Sequence, residues 1–335
     1  MNRFIFALVL CFGILRAQPP APPLLDCGQH GTSEIICGTR SPEDLELAPD
    51  GKHLIVSQFV KGGGLYLFDL QSKTFRKMEI RAELKAGWGD AACTGPVGDA
   101  LATHGISLRK RTGGAMELFV VNHGARESIE MFELAKEQLI WRGCVISAQA
   151  YNDVAALPDG GFFATHPTAL RTPDMDPFTG AASGYVSRWE PGTGETELAG
   201  TRFGYPNGVV ASSDARFIYY NAWTAREVHK YDVAAGKDVM AIKLDFMPDN
   251  LTWMKNGHML SAGVKGARGD CPVGSGSPCR QGFGVAEIDP ATMIAKTLDT
   301  PAKTISGVSV ALEVGKFIYV GAFEGERIAR IPKLT

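Results

Sequence analysis

Six times along the chain an apolar lead-in runs into a turn rich in Asp, Asn or Gly and then into a β-branched or aromatic run. The six stretches are LELAPDGKHLIVS from Leu45, RTGGAMELFVVNH from Arg111, AALPDGGFFATH from Ala155, VASSDARFIYYNAW from Val210, TWMKNGHMLSAG from Thr252 and ALEVGKFIYVGAF from Ala311. A second alternating run follows each: GLYLFDL, SIEMFEL, GYVSRWE, EVHKYDV, GVAEID and RIARI. Alternation with period two marks a half-buried strand, and Asp-Gly or Asn-Gly between two such runs fits a tight hairpin. With Asp50, Gly113, Asp159, Asp214, Asn256 and Gly315 as turn markers, the units lie 63, 46, 55, 42 and 59 residues apart. That spacing is the size of a four-stranded propeller blade with its loops. The chain's 39 glycines and 19 prolines supply the turns that so many short strands need. The expected fold is therefore all-β, a six-bladed β-propeller. A two-layer β-sandwich also uses many hairpins, but it gives no reason for six matched units. The segment from Ser33 to Thr39 is expected to add a strand to the last blade, because an open seam would leave strand edges bare.

A ring of blades gathers the starts of its innermost strands around one end of a central channel. Counting back seven residues from four of the turn markers gives Glu43, Asn152, Asn207 and Asp249, with Asp44, Asp153 and Asn250 adjacent. The second unit carries His104 at a slightly longer offset, and the sixth, near Ser306 and Gly307, offers no ligand type. One Asp or Asn beside a hairpin is ordinary turn chemistry. Turn chemistry does not explain ligand types at a matched offset in four separate units. Carboxylates and carboxamides present oxygen, and calcium takes six to eight oxygens in irregular geometry, whereas zinc selects His and Cys in fours. Calcium in the central channel is thus the expected cofactor. Glu43, Asn152, Asn207, Asp249 and Asn250 suit one ion, and Asp44 and Asp153 suit a second.

The N-terminus reads as a secretory signal peptide over residues 1–17: Arg3, a 12-residue apolar run from Phe4 to Leu15, and Ala17 near the cut. The run is shorter than the roughly 20 residues a membrane-spanning helix needs. Residues 18–335 are expected to form one propeller domain, secreted or periplasmic. Loss of Cys11 with the signal leaves six cysteines, an even number that an exported chain can pair. Sequence alone leaves the connectivity open. The short spans Cys27 to Cys37 and Cys271 to Cys279 favour local bridges, with Cys93 and Cys144 left over for a third. A formal net charge of −2 with both signs interspersed argues against a nucleic-acid partner. Nothing in the sequence supports binding to a membrane or lipid.

Six stretches then point to a family: Pro42-Glu43-Asp44-Leu45-Glu46, His104-Gly105-Ile106-Ser107, Val120-Val121-Asn122-His123, Asn152-Asp153-Val154, Asn207-Gly208-Val209 and Asp249-Asn250. In this order, along most of the chain, they resemble the calcium-dependent paraoxonase/arylesterase family. More loosely, the chain is similar to gluconolactonase and strictosidine-synthase-like propellers. The resemblance implies two calcium ions. It assigns Glu43, Asn152, Asn207, Asp249 and Asn250 to a catalytic ion, and Asp44, Asp153 and the backbone carbonyl of Ile106 to a structural ion deeper in the channel. It makes His104 and His123 the catalytic pair, a base and its partner. Two features of the family are missing: a cysteine near the C-terminus, where Ile331 to Thr335 has none, and a second Asp-His pair, where Thr165-His166-Pro167-Thr168 stands instead.

The reaction implied is hydrolysis of lactones or aryl esters, with water attacking a metal-polarised carbonyl and His104 taking the proton. No Gly-x-Ser-x-Gly elbow offers a serine nucleophile. Gly62-Gly63-Gly64 precedes a strand and not a helix, so it is no phosphate cradle. Two rival readings are a sugar-lactone hydrolase of the gluconolactonase type, which would have a more polar pocket, and a non-catalytic calcium-stabilised binding module. Phe178, Tyr205, Trp223, Phe246 and Phe323 lean toward apolar acyl or aromatic groups, and paired imidazoles beside a metal argue against a mere scaffold. His30, His53, His166, His229 and His258 read as structural.

Overall fold

Each predicted unit lies in the first hairpin of one antiparallel sheet, and the alternating run after it forms the third strand. Blade 1 comprises Pro42–Leu47, His53–Gln58, Gly64–Asp69 and Phe75–Lys77. Blade 2 comprises Thr103–Lys110, Met116–Asn122, Ser128–Ala135 and Gln138–Ile146, with Ile80–Ala82 added in parallel at its outer edge. Blade 3 runs Val154–Ala156, Phe162–His166, Tyr185–Glu190 and Gly194–Glu197. Blade 4 runs Pro206–Ala211, Phe217–Ala222, Glu227–Asp232 and Lys237–Lys243. Blade 5 runs Met247–Trp253, Met259–Val264, Phe283–Ile288 and Ala295–Thr297. Blade 6 takes Val308–Val314, Phe317–Ala322 and Arg327–Pro332 from the end of the chain, then Ser33–Cys37 and Gly28–His30 from its beginning. Glu34 pairs with Arg330 and Cys37 with Arg327, so the ring is closed by the strand expected from Ser33 onward. This computed structural model describes residues 23–333 except 177, 267–281, 299 and 301–303. The expected signal peptide and the Cys271–Cys279 bridge lie outside the described residues.

The innermost strands of consecutive blades pack side by side, and the sixth returns to the first, which makes a six-bladed β-propeller. Because side chains alternate across a strand, each blade offers an apolar face to both neighbours. The hydrophobic core is accordingly a set of layers between blades. Leu54, Val56 and Phe68 of blade 1 meet Leu312, Tyr319 and Ile328 of blade 6. Phe163 and Val186 of blade 3 meet Ile218, Tyr220 and Tyr231 of blade 4. Each such buried side chain contributes about 1.5–3 kcal/mol, and the layer at the seam adds to the closure of the ring.

One irregularity recurs where the blades meet the channel. The pairing of inner and second strands slips at Pro42/Asp44, Thr103/Ile106, Pro206/Val209, Pro248/Leu251 and Val308/Val310. The residues inside these bulges are Glu43, His104 with Gly105, Asn207 with Gly208, Asp249 with Asn250, and Ser309. A bulge leaves a residue out of the ladder and re-aims its side chain. Here it falls on the polar residue at the start of the inner strand in every blade but the third.

Two of the three expected disulfides fall on described residues, and both form: Cys27–Cys37, and Cys93–Cys144 across a sequence separation of 51. The second pins the loop before blade 2 to that blade's outer strand, and both of its cysteines are buried in the layer between blades 1 and 2. A covalent loop of this length is worth about 2–4 kcal/mol. A Cys93→Ala/Cys144→Ala double variant is therefore expected to melt several degrees below the parent in a thermal scan.

Candidate active site

Residues in and beside the bulges knit neighbouring blades into a belt around the channel. Asp44 of blade 1 accepts the N–H of Ile106 in blade 2 at 2.7 Å, and Asp153 of blade 3 accepts the N–H of Val209 in blade 4 at 2.8 Å. The other oxygen of each carboxylate accepts the N–H of the next residue in its own strand, Leu45 and Val154 respectively. Between these clamps, two glycines allow close approach. A Cβ on Gly105 would stand 2.4 Å from Asp153 Oδ1, and one on Gly208 would stand 2.4 Å from the Asp249 carbonyl oxygen. Asn250 closes the circuit by donating from Nδ2 to Glu43 Oε1 at 2.8 Å. Blade 6 contributes a hydroxyl, since Ser309 Oγ donates to the Glu43 carbonyl oxygen at 2.5 Å. The sixth inner strand, where the sequence offered no ligand type near Ser306 and Gly307, thus joins the belt through the Ser309 hydroxyl.

The belt is short of positive charge. Glu43, Asp44, Asp153 and Asp249 are all buried. Burial pushes the Glu43 carboxyl well above its ordinary range, and the neighbouring Asp44, Asp249 and Asp153 push it further. Burial raises Asp44 to about 7 and raises Asp153 and Asp249 as well. Among the described residues, Glu43 Oε2, Asn152 Oδ1, Asn207 Oδ1 and Asn250 Oδ1 are buried without a hydrogen-bond partner. A stranded buried acceptor costs about 1–3 kcal/mol, and four around one acidic cluster fit a hard cation that takes oxygen. These residues could hold calcium. Asp44, Asp153 and Ile106 lie deeper, lining a cavity of about 590 Å³ toward the opposite end of the channel with Glu46, Arg109 and Trp253. The clamps leave each Asp oxygen a second lone pair, so holding a strand does not exclude holding an ion.

The two histidines named from sequence meet: His104 Nδ1 lies 2.9 Å from His123 Nε2. The other nitrogen of His104, Nε2, stands 3.7 Å from Glu43 Oε1 and so faces the belt. Burial, and then the nearby His123, hold the His104 pKa well below the usual imidazole range, so this ring is neutral at pH 7. Phe59 stacks on His104 with centroids 4.1 Å apart and meets His123 edge-on at 5.9 Å. On its far side, His123 Nδ1 lies 2.7 Å from Glu127 Oε2. Sequence reading missed Phe59 and Glu127. It also missed Asn221, which donates from Nδ2 to the Asp249 carbonyl oxygen at 2.6 Å and sits on a second strand, away from the inner starts that were searched.

Aromatic side chains rise around this end of the channel. Phe178, Tyr205 and Trp223 form a triangle with centroid distances of 4.9 and 5.8 Å, and Tyr205 directly precedes the strand bearing Asn207. Trp223 and Phe323 pack against Met247 and Val264. Phe246 does not belong to the wall, contrary to the expectation above. It is fully buried in the layer between blades 4 and 5, where its ring covers Gly284. His166 and His229 are structural as expected: His166 bonds Ser187 and Glu195 inside blade 3, and His229 bonds Asp238 inside blade 4.

The arylesterase sequence profile matches residues 44–264, which cover the belt from Asp44 to Asn250 and both histidines. The chain belongs to the arylesterase family. Among curated members, serum paraoxonase/arylesterase 2 from Rattus norvegicus is 26% identical over 242 residues, covering 68% of this chain and 61% of that one. Serum paraoxonase/arylesterase 1 from Homo sapiens is 28% identical over 231 residues, covering 63% and 62%. The match therefore spans about six tenths of the length of these relatives. Among solved structures, a luciferin-regenerating enzyme superposes with a TM-score of 0.57 at 13% identity, over 90% of this chain and 95% of that one. A gluconolactonase from Xanthomonas campestris superposes with a TM-score of 0.55 at 17% identity, over 95% and 99%. At such identities these two speak for the shared propeller fold.

Proposed function

We propose that this member of the arylesterase family is a calcium-dependent hydrolase of lactones and aryl esters with apolar substituents. The observation that carries the reading is the group of four unpartnered buried oxygens on Glu43, Asn152, Asn207 and Asn250, next to the free nitrogen of a neutral His104. Glu43, Asn152, Asn207, Asp249 and Asn250 would hold the catalytic calcium, and Asp44, Asp153 and the Ile106 carbonyl a structural one. A bound calcium supplies Lewis acidity to the substrate's carbonyl oxygen. His104 accepts the proton of the attacking water at Nε2, and His123 holds the ring from behind through Nδ1. Phe59, stacked on the imidazole, keeps it from swinging out of line. The wall of Phe178, Tyr205, Trp223 and Phe323 receives the acyl or aryl group.

Three further readings go with this one. The substrate is a small molecule, and nucleic acid is not a partner. Residues 18–335 act as one domain after removal of residues 1–17. The location is secreted or periplasmic, which the two disulfides support.

A hydrolysis screen tests the activity. Phenyl acetate, an alkyl-substituted lactone, an acyl-homoserine lactone and gluconolactone would each be assayed with calcium, with chelator, and with calcium restored. Phenyl acetate and the alkyl lactone are expected to turn over at least tenfold faster than gluconolactone, and only with calcium. Turnover that survives thorough chelation would remove calcium from the chemistry, and turnover of gluconolactone alone would move the enzyme to the sugar-lactone class. The wall gives a second check: Trp223→Ala is expected to raise KM for phenyl acetate several-fold with less effect on kcat, since it removes uniform binding and no reacting group.

A further inference from the structure

His123 is anchored on the side away from the channel, and the anchor has a chemical direction. A carboxylate only accepts hydrogen bonds. At 2.7 Å from Glu127 Oε2, His123 Nδ1 must therefore carry the proton, and in the neutral ring His123 Nε2 becomes an acceptor. The 2.9 Å contact to His104 is then filled by the Nδ1–H of His104. That leaves the second nitrogen of His104, Nε2, unprotonated on the side facing Glu43. With the order reversed, His123 would donate from Nε2, His104 Nδ1 would accept, and His104 Nε2 would carry a proton and be useless as a base.

The loop from His123 to Ser128 is built to hold Glu127 in place. Asn122, fully buried, donates from Nδ2 to the carbonyls of Gly124 and Arg126 and to Ser128 Oγ at 2.9–3.1 Å. Its Oδ1 accepts the N–H groups of Ala102 and Gly124 at 3.0 Å. The Ser147 N–H donates to the Glu127 carbonyl oxygen at 3.0 Å. Arg126, the nearest cation in sequence, is taken by Glu130 through both Nε and Nη2, which leaves the Glu127 carboxylate to His123.

We propose that Glu127 is a positioning residue that fixes the proton order of the histidine pair, so that His104 presents a bare Nε2 to the channel. This rests on His104 being the base. The proton accounting closes: the water proton goes to His104 Nε2, the Nδ1 proton of His104 can pass to His123 Nε2, and the resulting imidazolium lies against the Glu127 carboxylate.

The test uses the calcium-loaded enzyme with phenyl acetate, together with long-range ¹⁵N–¹H correlation of the imidazoles at pH 7.5. The parent is expected to show His123 protonated at Nδ1. In Glu127→Ala, kcat is expected to fall about 10–100-fold, the scale of losing a group that orients a catalytic ligand, with KM within about twofold, and His123 should lose its pure Nδ1–H signature. Glu127→Asp is expected to recover much of the loss, because a shorter carboxylate still accepts from Nδ1. Unchanged kcat and an unchanged His123 signature in Glu127→Ala, alongside an inactive His104→Gln, would overturn the proposal alone. If His104→Gln kept full turnover, the base assignment would fall instead, while the imidazole spectrum would still report whether Glu127 sets the proton order.

Discussion

Removal of calcium is expected to lower the melting temperature by about 10 °C. A site held roughly 100-fold above its dissociation constant contributes about 2.7 kcal/mol, and in a domain of more than about 250 residues each kcal/mol moves the midpoint by about 2 °C. Two sites give the figure. What remains should depend on pH in a defined direction. Burial raises Asp44 to about 7 and Glu46 to about 8, and Glu43, Asp153 and Asp249 move the same way. A carboxyl whose folded pKa is raised adds stability that is complete below its unfolded value near 4 and is lost as pH climbs through the folded value. The chelated protein should therefore melt lower at pH 8.5 than at pH 6. Bound calcium would hold its ligand carboxylates ionised in the folded state, so the slope should flatten when it is restored.

Glu43→Gln separates ligand from burden. The amide keeps an oxygen for Asn250 but removes one buried negative charge. In chelator at pH 8.5 the variant should melt above the parent, and in calcium it should melt below it. Equal midpoints with and without chelator, at both pH values, would mean that the belt holds no ion.

The parts of this molecule that could be read from sequence are those carried by local periodicity. Period-two alternation and the hairpin markers located every blade, and a fixed offset from the markers reached Glu43, Asn152, Asn207 and Asp249, because the same number of residues separates the start of the inner strand from its hairpin turn in these four units. His104 needed a looser offset, since the inner strand of blade 2, Thr103–Lys110, is longer than those of the other blades. What escaped was set by contacts across the fold. Phe59 lies 45 positions from His104 in sequence and becomes its stacking partner only when blades 1 and 2 pack. Phe246 and Phe178 look alike in sequence, yet the first fills a layer between blades and the second lines the mouth. Glu127 is four residues from His123, and such a pair reads as ordinary charge patterning until the loop clamped by Asn122 brings the two together. Ser309 was passed over because a hydroxyl is not a ligand type, although the belt uses it to hold the Glu43 backbone.

Replacing His104 by Gln should have the largest effect on turnover of any single change in the site. Gln has similar reach and polarity, so it fills the space between Phe59 and Glu43, but it cannot accept and release a proton near neutral pH. The structural loss is small. A ring stacked on Phe59 is worth about 0.5–1.5 kcal/mol beyond its buried area, which leaves most of the protein folded at 25 °C. The chemical loss is larger, because a positioned general base contributes about 10²–10⁴-fold to rate. The expected outcome is a fall in kcat of that order for phenyl acetate, with KM little changed and the calcium-dependent rise in melting temperature intact. His123→Gln should fall less far, because it removes the ring that steadies the base and not the base itself. The comparison also distinguishes two chemistries for the same pocket. If the metal alone generated the nucleophile, His104→Gln would retain turnover while Glu43→Gln lost it. If His104 takes the proton, both variants fall, but only Glu43→Gln loses its thermal response to calcium.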